Sequence, residues 1–308
     1  MKTLLILGGF GFLGSNILKF LDSHDNEYKV IVFDKNLKHQ NHLDFNCIQK
    51  SYAGDFLDES VIRKIFQENK IDLVIHSISS TVPASSENIE LDIQTNLIPT
   101  IRLLNIMNEF NVCNIVFISS GGAIYGESTK SKSELSEAHP ISSYGIVKLA
   151  IEKFLFLFSK QYNLRPLILR PSNLYGLYHY SKKQGVINIA LRKALDGEDF
   201  LVWGSGNGKK DYLYVEDFCK ILFNLVDKNV YNEIINIGSG ELLSVNKIIS
   251  SIKKLIPNFR WQYGEACISD IDEVALDITK LIGYIGDYKF KNFSDVLTEI
   301  YNWHREIK

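Results

Sequence analysis

The sequence predicts an α/β fold, a doubly wound parallel sheet followed by a smaller α+β portion. Two observations lead to this prediction. Short apolar runs alternate with amphipathic segments through the first half of the 308 residues, and the alternation loosens after about residue 175. Strands that are apolar on both sides are typical of a parallel sheet that helices cover on both faces.

Six runs are the predicted strands of the large sheet. Five are TLLILGG, KVIVFD, DLVIHSIS, NIVFISS and RPLILRPSN, and the sixth precedes AGDFLDES. The segments between them include SNILKFLDSH, ESVIRKIFQEN and IQTNLIPTIRLLNIMNEFN, which have the apolar spacing of amphipathic helices. Right-handed crossovers between parallel strands leave the ligand site at the carboxyl ends of the strands. We therefore expect functional residues directly after the strands.

The second half of the chain is predicted to form the smaller unit. VINIALRKALDGED and VEDFCKILFNLVD have helical periodicity, and FLVWGSGNGKKDYLYV fits a strand, a turn and a strand. We place the domain boundary near residue 170, so that residues 1–170 form the sheet domain and 171–308 mainly the second domain. Residues 211–238, roughly, are expected to return to the first domain.

Composition and charge exclude several classes of function. With 45% hydrophobic and 23% charged residues the chain is an ordinary globular protein, and a net charge of −2 gives no electrostatic basis for binding nucleic acid or an anionic membrane. The apolar run at residues 3–7 is too short for a signal peptide or a membrane span. Four separated cysteines and seven unclustered histidines predict neither disulfides nor a metal site. We expect a cytoplasmic protein that binds a small molecule or another protein.

A glycine-rich turn follows the first predicted strand. Gly8, Gly11 and Gly14 in ILGGFGFLGSNILKFL stand where this strand gives way to a helix. Residues without Cβ let backbone N–H groups approach a pyrophosphate at the positive end of the helix. Asp34 ends the next strand, and its carboxylate can accept hydrogen bonds from an adenosine ribose and repel a 2′-phosphate. The pattern predicts a dinucleotide site that prefers NAD over NADP.

Neighbouring residues leave parts of this prediction open. Lys35 and Lys38 lessen the repulsion of a 2′-phosphate, so NADP is not excluded. Asp55 in AGDFLDES could reach the adenine edge or could be a turn residue, whereas Asp58 is interpreted as a helix N-cap. The glycines alone would also fit the tight turns of an α/β domain that binds no nucleotide.

Tyr144 and Lys148 in SSYGIVK are four residues apart on a predicted helix, so both side chains share one face. Three pairs of tyrosine and a basic residue have this spacing, and about two are expected by chance. The other pairs are Tyr178/Lys182 and Tyr301/Arg305. Spacing alone therefore does not identify a proton-transfer pair.

The order of the motifs resembles that of the extended short-chain dehydrogenase/reductase family, in its nucleotide-sugar epimerase, dehydratase and reductase branch. The motifs are GGFGFLG, GDFLD, VIHSIS, Asn96, ISSGGAIYG, YGIVK, LRPSNLYG, GSGNGKKDYLYVEDF and NIGSG. The resemblance runs nearly from end to end, and it is more specific for the family than for the reaction. It implies a Rossmann domain that binds NAD and a substrate-binding domain for a nucleoside-diphosphate sugar.

The resemblance makes Tyr144 and Lys148 the catalytic pair. A free tyrosine has a pKa of about 10, which must fall for the residue to act near neutral pH. The Lys148 ammonium and a positive nicotinamide ring would stabilise the phenolate. The phenolate could then remove a hydroxyl proton as hydride leaves the same carbon. Lys148 would also hold the nicotinamide ribose.

The resemblance also implies the cofactor contacts. They are expected from Gly8, Gly11, Phe12, Leu13, Gly14, Asp34, Asp55, Phe56, His76 and Lys148. His76 ends a predicted strand and fits either a cofactor-lining or a core position. NIGSG could be a second phosphate loop, although in the family this segment packs within the substrate half.

The sequence departs from the family at the active site. The family usually has a serine or threonine four residues before the tyrosine of the YG dipeptide, and here that position is Gly121. Ser119 or Ser120 could supply the hydroxyl, and we predict Ser120 as the third catalytic residue. The alternative is that Ser120 only caps the backbone. Losing such a donor costs a factor of ~10²–10³ in rate.

The substrate-binding residues depart from the family as well. Lys210 stands where an arginine usually clamps a phosphate, and a lysine lacks the guanidinium fork. A second family arginine, expected near Cys267 or Ile268, is missing. Arg192 is the expected replacement, and Asn173 matches the position that contacts the substrate near its diphosphate.

Three hypotheses about function follow. The first is an NAD-dependent 4-epimerase of a nucleoside-diphosphate hexose, and the second is an NAD(P)H-dependent 4-ketoreductase that makes an activated 6-deoxyhexose for a surface polysaccharide. The third is a dinucleotide-binding regulator without activity. A dehydratase is disfavoured because SSGGAIYG lacks the family's Asp-Glu pair. The helix LAIEKFLFLFSKQY is apolar on more than one side, which favours a homodimer.

Overall fold

A seven-stranded parallel sheet forms the centre of the computed structural model, which describes residues 1–24, 28–37, 45–80, 88–126, 131–182, 184–265 and 275–306. The strands are β1 (Lys2–Leu7), β2 (Tyr28–Asp34), β3 (Ile48–Ala53), β4 (Leu73–His76), β5 (Asn114–Ile118), β6 (Arg165–Pro171) and β10 (Glu233–Ile237). Their order across the sheet is β10-β6-β5-β4-β1-β2-β3. Lys38, Cys267 and Ile268, which bear on two of the predictions above, lie outside the described residues.

Helices cover both faces of this sheet. They are α1 (Phe12–Asp22), α2 (Glu59–Glu68), α3 (Ile89–Asp92), α4 (Ile98–Glu109), α5 (Gly121–Ile124), α6 (Ser143–Tyr162) and α8 (Val215–Asp227). Side chains alternate along each strand, so Leu4 and Ile6 of β1 belong to one hydrophobic cluster and Leu5 and Leu7 to the other. The predicted doubly wound α/β fold is confirmed.

The six runs predicted as strands all lie in the large sheet. β6 ends at Pro171, so the last residues of RPLILRPSN belong to a separate short strand. α2 begins after Asp58, whose carboxylate accepts a hydrogen bond from the Ser60 N–H at 3.0 Å. The predicted N-cap is therefore confirmed.

The chain passes from α3 to α4 through a π-helical segment, Ile93–Leu97. Pro99 lies in the first turn of α4 and lacks the N–H that a regular helix would use there. Asn96 lies in the π-helical segment, and its side-chain oxygen accepts a hydrogen bond from the Ser80 N–H at 3.0 Å. Such segments are frequent at functional sites, and this one joins the helix to the chain just beyond β4.

In the described part of the second half, two small sheets and the helices around them form the smaller portion. β7 (Asn173–Tyr175), β9 (Lys209–Tyr214) and β11 (Leu242–Ser244) form a sheet in the order β11-β9-β7, and β8 (Phe200–Trp203) pairs with β12 (Trp261–Gly264). The helices are α7 (Val186–Asp196), α9 (Val245–Leu255), α10 (Thr279–Ile285) and α11 (Phe293–Glu306). β8 and β9 follow one another in the sequence but pair with different strands. The predicted smaller α+β portion is confirmed.

The chain returns to the large sheet through α8 and β10. β10 pairs in parallel with β6, whereas β9 belongs to the smaller sheet. One hydrophobic cluster continues from Leu4 of β1 to Ile300 of α11, so both portions share a core. The boundary near residue 170 therefore remains a prediction. None of the helices in the described part of the chain combines the length and the apolar character needed to span a bilayer.

Candidate active site

The glycine turn links β1 to α1. Gly8 has a φ of +82°, and its N–H donates a hydrogen bond to the Phe33 carbonyl at 2.8 Å. A Cβ at Gly14 would lie 2.2 Å from the Gly8 oxygen, so the helix can approach the turn this closely only with glycine here. Gly11 is the N-cap residue of α1 and has no side chain to cap the helix. The first N–H groups of α1 can therefore receive a pyrophosphate, which fits the predicted cofactor.

Phe12 and Leu13, two further predicted cofactor residues, form the first turn of α1 and are half-buried. The Phe12 ring stacks on the His179 ring with centroids 4.2 Å apart. Burial lowers the pKa of His179 to about 4, so its ring is uncharged near neutral pH. This stack joins the glycine turn to the loop that follows β7.

Asp34, the predicted ribose ligand, ends β2 beside the glycine turn. Its Oδ2 accepts a hydrogen bond from the Phe10 N–H at 2.9 Å, and its Oδ1 accepts one from the Asn36 N–H at 3.1 Å. The carboxylate is thereby fixed between the turn and the end of β2. Each carboxylate oxygen can accept a second hydrogen bond, so both oxygens can still receive ribose hydroxyls.

Asp55 forms an ion pair with Lys35, with 2.8 Å between Lys35 Nζ and Asp55 Oδ2. Its Oδ1 accepts a hydrogen bond from the Leu57 N–H at 3.0 Å. These two hydrogen bonds, the one from Lys35 first, lower the pKa of Asp55. Asp55 is therefore a turn residue in the structure, and its contact with an adenine edge remains a prediction. The ion pair also draws Lys35 towards a carboxylate.

Phe56 and His76 lie in the core. They are 8% and 2% exposed, and their ring centroids are 5.3 Å apart. His76 Nε2 is 2.9 Å from Thr100 Oγ1. Burial, together with the charge of Lys148, lowers the pKa of His76 to about 3. His76 is therefore a neutral core residue, and contacts of Phe56 and His76 with a cofactor remain predictions.

Tyr144 and Lys148 lie one turn apart at the start of α6. Ser142 caps this helix by accepting a hydrogen bond from the Gly145 N–H at 3.1 Å. Lys148 is 4% exposed, and its Nζ donates a hydrogen bond to the Ile118 carbonyl at 2.9 Å. Nζ lies 5.7 Å from the centroid of the Tyr144 ring. The pair therefore stands at the carboxyl end of β5, where the fold predicts a ligand.

The other pairs with the same spacing differ in environment. The Arg305 guanidinium carbon also lies 5.7 Å from the centroid of the Tyr301 ring, but Arg305 is exposed on α11. Tyr178 lies in a loop with a φ of +59°. Neither the sequence spacing nor the distance between the tyrosine ring and the basic group therefore distinguishes a proton-transfer pair. The burial of Lys148 at a strand end distinguishes its pair.

Burial dominates the proton affinities of the pair. It raises the pKa of Tyr144 to about 12, two serine hydroxyls oppose this shift, and the charge of Asp92 adds to it. Burial also lowers the pKa of Lys148 to about 8, against the charge of Glu152. The sequence led us to expect a lowered tyrosine pKa, and in the protein alone the shift is upward. The reason is that desolvation penalises the charged phenolate.

The two serines are Ser120 and Ser79. Hydrogen bonding of each to the phenol of Tyr144 favours the phenolate. Ser120 is the N-cap residue of α5, yet its side chain makes no capping hydrogen bond. Ser119 instead donates a hydrogen bond to Glu152 Oε1 at 2.6 Å. The structure therefore brings Ser120 rather than Ser119 to Tyr144, and it adds Ser79, which the sequence analysis missed.

Leu276 explains why glycine occupies position 121. A Cβ at Gly121 would lie 2.5 Å from Leu276 Cδ1 and 3.0 Å from the Arg170 carbonyl oxygen. Leu276 is 5% exposed and pairs with Lys132, whose carbonyl accepts a hydrogen bond from the Asp277 N–H at 2.9 Å. Leu276 thus fills the space that the family's serine or threonine would need. The hydroxyl comes from the preceding residue.

A buried ion pair lies one helical turn beyond Lys148. Arg170 donates hydrogen bonds to both oxygens of Glu152, through Nε at 2.9 Å and through Nη2 at 2.6 Å. Its Nη1 donates to the Tyr125 hydroxyl, which in turn donates to Asn236 Oδ1, each at 2.7 Å. Buried charges are tolerated when they are paired and fully hydrogen-bonded. This network ties α6 to β6 and β10.

The predicted substrate residues lie on β7, β9 and α7. Asn173 is exposed and lies opposite Tyr212 of the neighbouring strand. Lys210 is exposed two residues before Tyr212, so Asn173 and Lys210 share a face of the small sheet. Arg192 donates a hydrogen bond to the Ser181 carbonyl at 2.5 Å. Asn173 and Lys210 therefore lie on one face of the small sheet, and Arg192 is attached to a loop.

The NIGSG segment already binds a carboxylate of the protein, that of Asp211. The Ser239 and Gly240 N–H groups donate hydrogen bonds to the Asp211 carboxylate at 3.0 and 3.3 Å, and the Ser172 hydroxyl donates to it at 3.0 Å. Asp211 is fully buried. Its carboxylate uses the donors that a phosphate would need. The segment therefore serves packing within the substrate half.

Sequence reasoning missed Ser79, Asp92, Glu152 and Leu276. Glu152 had a local signal, because it follows Lys148 by one helical turn as Lys148 follows Tyr144. Ser79, Asp92 and Leu276 are distant in the sequence from the residues they approach, so no local pattern pointed to them. Within the described ranges, no group of three or more His, Cys, Asp or Glu side chains is arranged to hold a metal ion.

Residues 4–238 match the family described as the NAD dependent epimerase/dehydratase family. The chain belongs to this family. The resemblance found in the sequence is therefore confirmed, together with the predictions of an enzyme and of NAD as its cofactor.

Individual relatives agree with this assignment. A Methanocaldococcus jannaschii protein assigned as a UDP-glucose 4-epimerase is 36% identical over 284 residues, or 90% of each chain. The dTDP-4-dehydro-6-deoxyglucose reductase of Escherichia coli is 28% identical over 293 residues, which cover 92% of this chain and 91% of the relative. The solved UDP-glucose 4-epimerase of Thermotoga maritima with UDP-glucose has a TM-score of 0.91 and 29% identity over 99% of each chain.

Gly121→Ser is expected to lower the free energy of unfolding by about 1–3 kcal/mol, because the new Cβ overpacks against Leu276. Leu276→Ala leaves a cavity and should cost about 2–5 kcal/mol. The double variant should lose less than the sum of the two, since each change relieves the other. Urea unfolding measures all three variants.

Gly122→Ala is the matched control, because a Cβ at Gly122 would meet nothing within 4 Å. Its effect should stay within about 0.5 kcal/mol. Strictly additive losses at positions 121 and 276 would show that the two residues do not compete for the same space.

Proposed function

We propose that the enzyme is an NAD-dependent 4-epimerase of a nucleoside-diphosphate hexose. One observation carries the proposal: the Tyr144 phenol meets Ser120 and lies beside buried Lys148 at the carboxyl end of the large sheet. This arrangement supports an acid/base role for Tyr144 beside the predicted dinucleotide site. The relatives named above as UDP-glucose 4-epimerases support the substrate class.

The chain's own residues fit the cofactor. The start of α1 and the glycine turn would receive the pyrophosphate, and Asp34 would accept the ribose hydroxyls. Lys148 would hold the nicotinamide ribose. Bound NAD supplies the hydride acceptor and donor for C4 of the sugar. The ion pair between Asp55 and Lys35 supports NAD over NADP, because Lys35 already has a carboxylate partner.

Tyr144 would exchange the proton of the 4-hydroxyl. The phenolate accepts this proton as the hydroxyl becomes a ketone, and the phenol returns it when the ketone is reduced on its other face. Ser120 would hydrogen-bond the reacting oxygen. Because the protein alone raises the pKa of Tyr144 to about 12, we infer that the positive nicotinamide ring provides most of the stabilisation of the phenolate.

Asn173 and Lys210 would bind the diphosphate of the substrate. Both are exposed on the same face of the small sheet. Lys210 provides a point charge in place of the two parallel hydrogen bonds of an arginine. Arg192 reaches Ser181 in the loop that follows β7, so its part would be to position that loop.

A net 4-ketoreductase of a 6-deoxyhexose nucleotide is the second candidate. The similarity to the Escherichia coli reductase favours it. A regulator without activity is disfavoured, since Tyr144 and Lys148 are in place.

We infer that the enzyme is a cytoplasmic homodimer. Ile98 of α4 and Ile146 and Leu157 of α6 are 39%, 55% and 42% exposed, although all are large and apolar. Exposed apolar surface of this kind marks interaction sites. Cys47, Cys113 and Cys219 are free thiols, which agrees with a reducing compartment.

Tyr144→Phe is expected to reduce kcat on the sugar nucleotide by a factor of ~10²–10⁴, because it removes the proton-transfer group. Dinucleotide binding should persist, since the glycine turn is unchanged. Steady-state kinetics and cofactor titration measure the two effects. Tyr301→Phe is the matched control, because Tyr301 has the same spacing and the same distance to its base. Equal activity of Tyr144→Phe and the unaltered enzyme would rule out the acid/base role.

The fate of the cofactor separates the two candidate reactions. An epimerase returns the hydride it takes, so the purified protein should carry about one NAD per chain and interconvert sugars without added cofactor. A panel of uridine and thymidine diphosphate sugars, assayed with and without NAD(P)H, tests this. Consumption of one NAD(P)H per turnover would decide for the reductase.

Light scattering should give twice the chain mass of 35.2 kDa. Leu157→Lys is expected to shift the protein towards the monomer, because it places a charge on the apolar face of α6. Leu135→Lys is the matched control, since Leu135 is 97% exposed in a loop. A monomer in the unaltered protein would refute the proposed dimer.

A further inference from the structure

His179 lies in the loop that follows β7, and its ring packs against the first turn of α1. The side chain is 6% exposed, and it stacks on the Phe12 ring with centroids 4.2 Å apart and the ring planes inclined by 20°. Gly185, with a φ of +89°, makes room for it, because a Cβ there would lie 2.0 Å from His179 Cε1. A buried histidine is thus held against the predicted cofactor turn.

The contact with Phe12 explains why an aromatic ring occupies position 179. Burial lowers the pKa of His179 to about 4, against a hydrogen bond with the Asn188 side chain, so the ring is neutral near physiological pH. A neutral ring cannot attract a pyrophosphate by its charge. Nδ1 is buried and has no hydrogen-bond partner among the described residues, which costs stability. The stack on Phe12 is therefore the interaction that this ring contributes.

Asn16 makes a second connection between α1 and the same loop. This side chain is 5% exposed, and its Nδ2 donates hydrogen bonds to the Phe12 carbonyl and to the Leu177 carbonyl, each at 2.8 Å. Phe12 is therefore fixed at its ring by His179 and at its backbone by Asn16. Both contacts attach the first turn of α1 to the loop that follows β7.

The second half of the chain holds this loop in turn. Asn188 of α7 accepts a hydrogen bond from the Gly176 N–H at 3.3 Å and donates one to the Gly176 carbonyl at 2.7 Å. The Tyr178 ring lies 5.4 Å from the Trp303 ring of α11, measured between centroids. The loop is thus attached to two helices of the smaller portion, and these attachments support the His179 ring from behind.

We propose that His179 is a positioning residue for the dinucleotide: by stacking on Phe12, it holds the first turn of α1 in the conformation that binds the pyrophosphate. The N–H groups of a first helical turn have no acceptor within the helix. They bind an anion best when their direction is fixed before it arrives. The stack limits movement of this turn, so the cofactor should leave slowly. The inference concerns NAD and goes beyond the proposed reaction, because it applies to an epimerase and to a reductase alike.

His179→Leu tests the inference, because it removes the ring stack and keeps a buried apolar side chain. Loss of one stacked pair should raise the rate at which NAD dissociates from the loaded protein by a factor of ~3–10. The association rate should change less, since most changes in affinity appear in dissociation. Exchange of bound NAD for an excess of labelled NAD measures the rate. An unchanged dissociation rate would overturn the inference.

His24→Leu is the matched control. His24 lies beyond the other end of α1 and stacks on Phe20 at the same centroid distance of 4.2 Å, but it is exposed. Its replacement should leave the release of NAD unchanged. Equal acceleration in both variants would assign the effect to a general loosening of α1 and would contradict the role of His179.

A comparison of ADP with adenosine separates positioning of the pyrophosphate site from general damage to the fold. ADP carries the two phosphates that the turn would bind, and adenosine carries none. In nucleotide-stripped protein, His179→Leu should weaken binding of ADP by the same factor of ~3–10 and leave binding of adenosine unchanged. Calorimetric titration measures both. Equal losses for the two ligands would reject the inference.

Phe12→Leu removes the other ring of the pair, and it serves as the test if His179→Leu does not fold. The same acceleration of NAD release is expected. The double variant should release NAD no faster than either single variant, because one contact is lost only once. Additive effects would show that the two rings act separately, against the inference. These measurements use no sugar nucleotide, so their outcome is independent of the reaction proposed above.

Discussion

The hydrogen bond from Lys148 Nζ to the Ile118 carbonyl is the constraint on which the candidate active site depends. It attaches the first turns of α6 to the end of β5. Because Lys148 is buried, its ammonium must find an acceptor inside the protein, and the last carbonyl of the strand is that acceptor. Tyr144 lies one turn earlier on the same helix, so the same bond fixes the phenol above the sheet.

Opposing contributions set the pKa of Tyr144. Burial and the charge of Asp92 favour the phenol, whereas the serine hydroxyls favour the phenolate. In the protein alone the phenol is favoured, with a pKa of about 12. In the proposed mechanism, the positive nicotinamide ring of oxidised NAD would reverse this balance. In the proposed mechanism, proton transfer is thereby coupled to occupancy of the dinucleotide site, so that a sugar would be activated only when an acceptor for its hydride is bound.

The fold and half of the site could be predicted from the sequence, because their signals are local. Apolar runs defined the strands of the large sheet, and the glycine spacing marked the turn before α1. The remainder depends on contacts between distant segments. Ser143 donates a hydrogen bond to Asp92 from 51 residues further along the chain, and Leu276 reaches Gly121 from the second half of the chain. Burial of Tyr144 reversed the direction of its pKa shift, and spacing between residues contains no information about desolvation.

The contact between Gly121 and Leu276 has a consequence for engineering. A side chain at position 121 would occupy the space that the Leu276 side chain fills, so the size of each residue limits the size of the other. A chimera that takes its first half from this protein and its second half from a relative with a smaller residue at 276 would inherit a hole over the active-site loop. The opposite exchange would force a hydroxyl-bearing residue against leucine. Recombination points between the two halves should therefore keep both positions from the same parent.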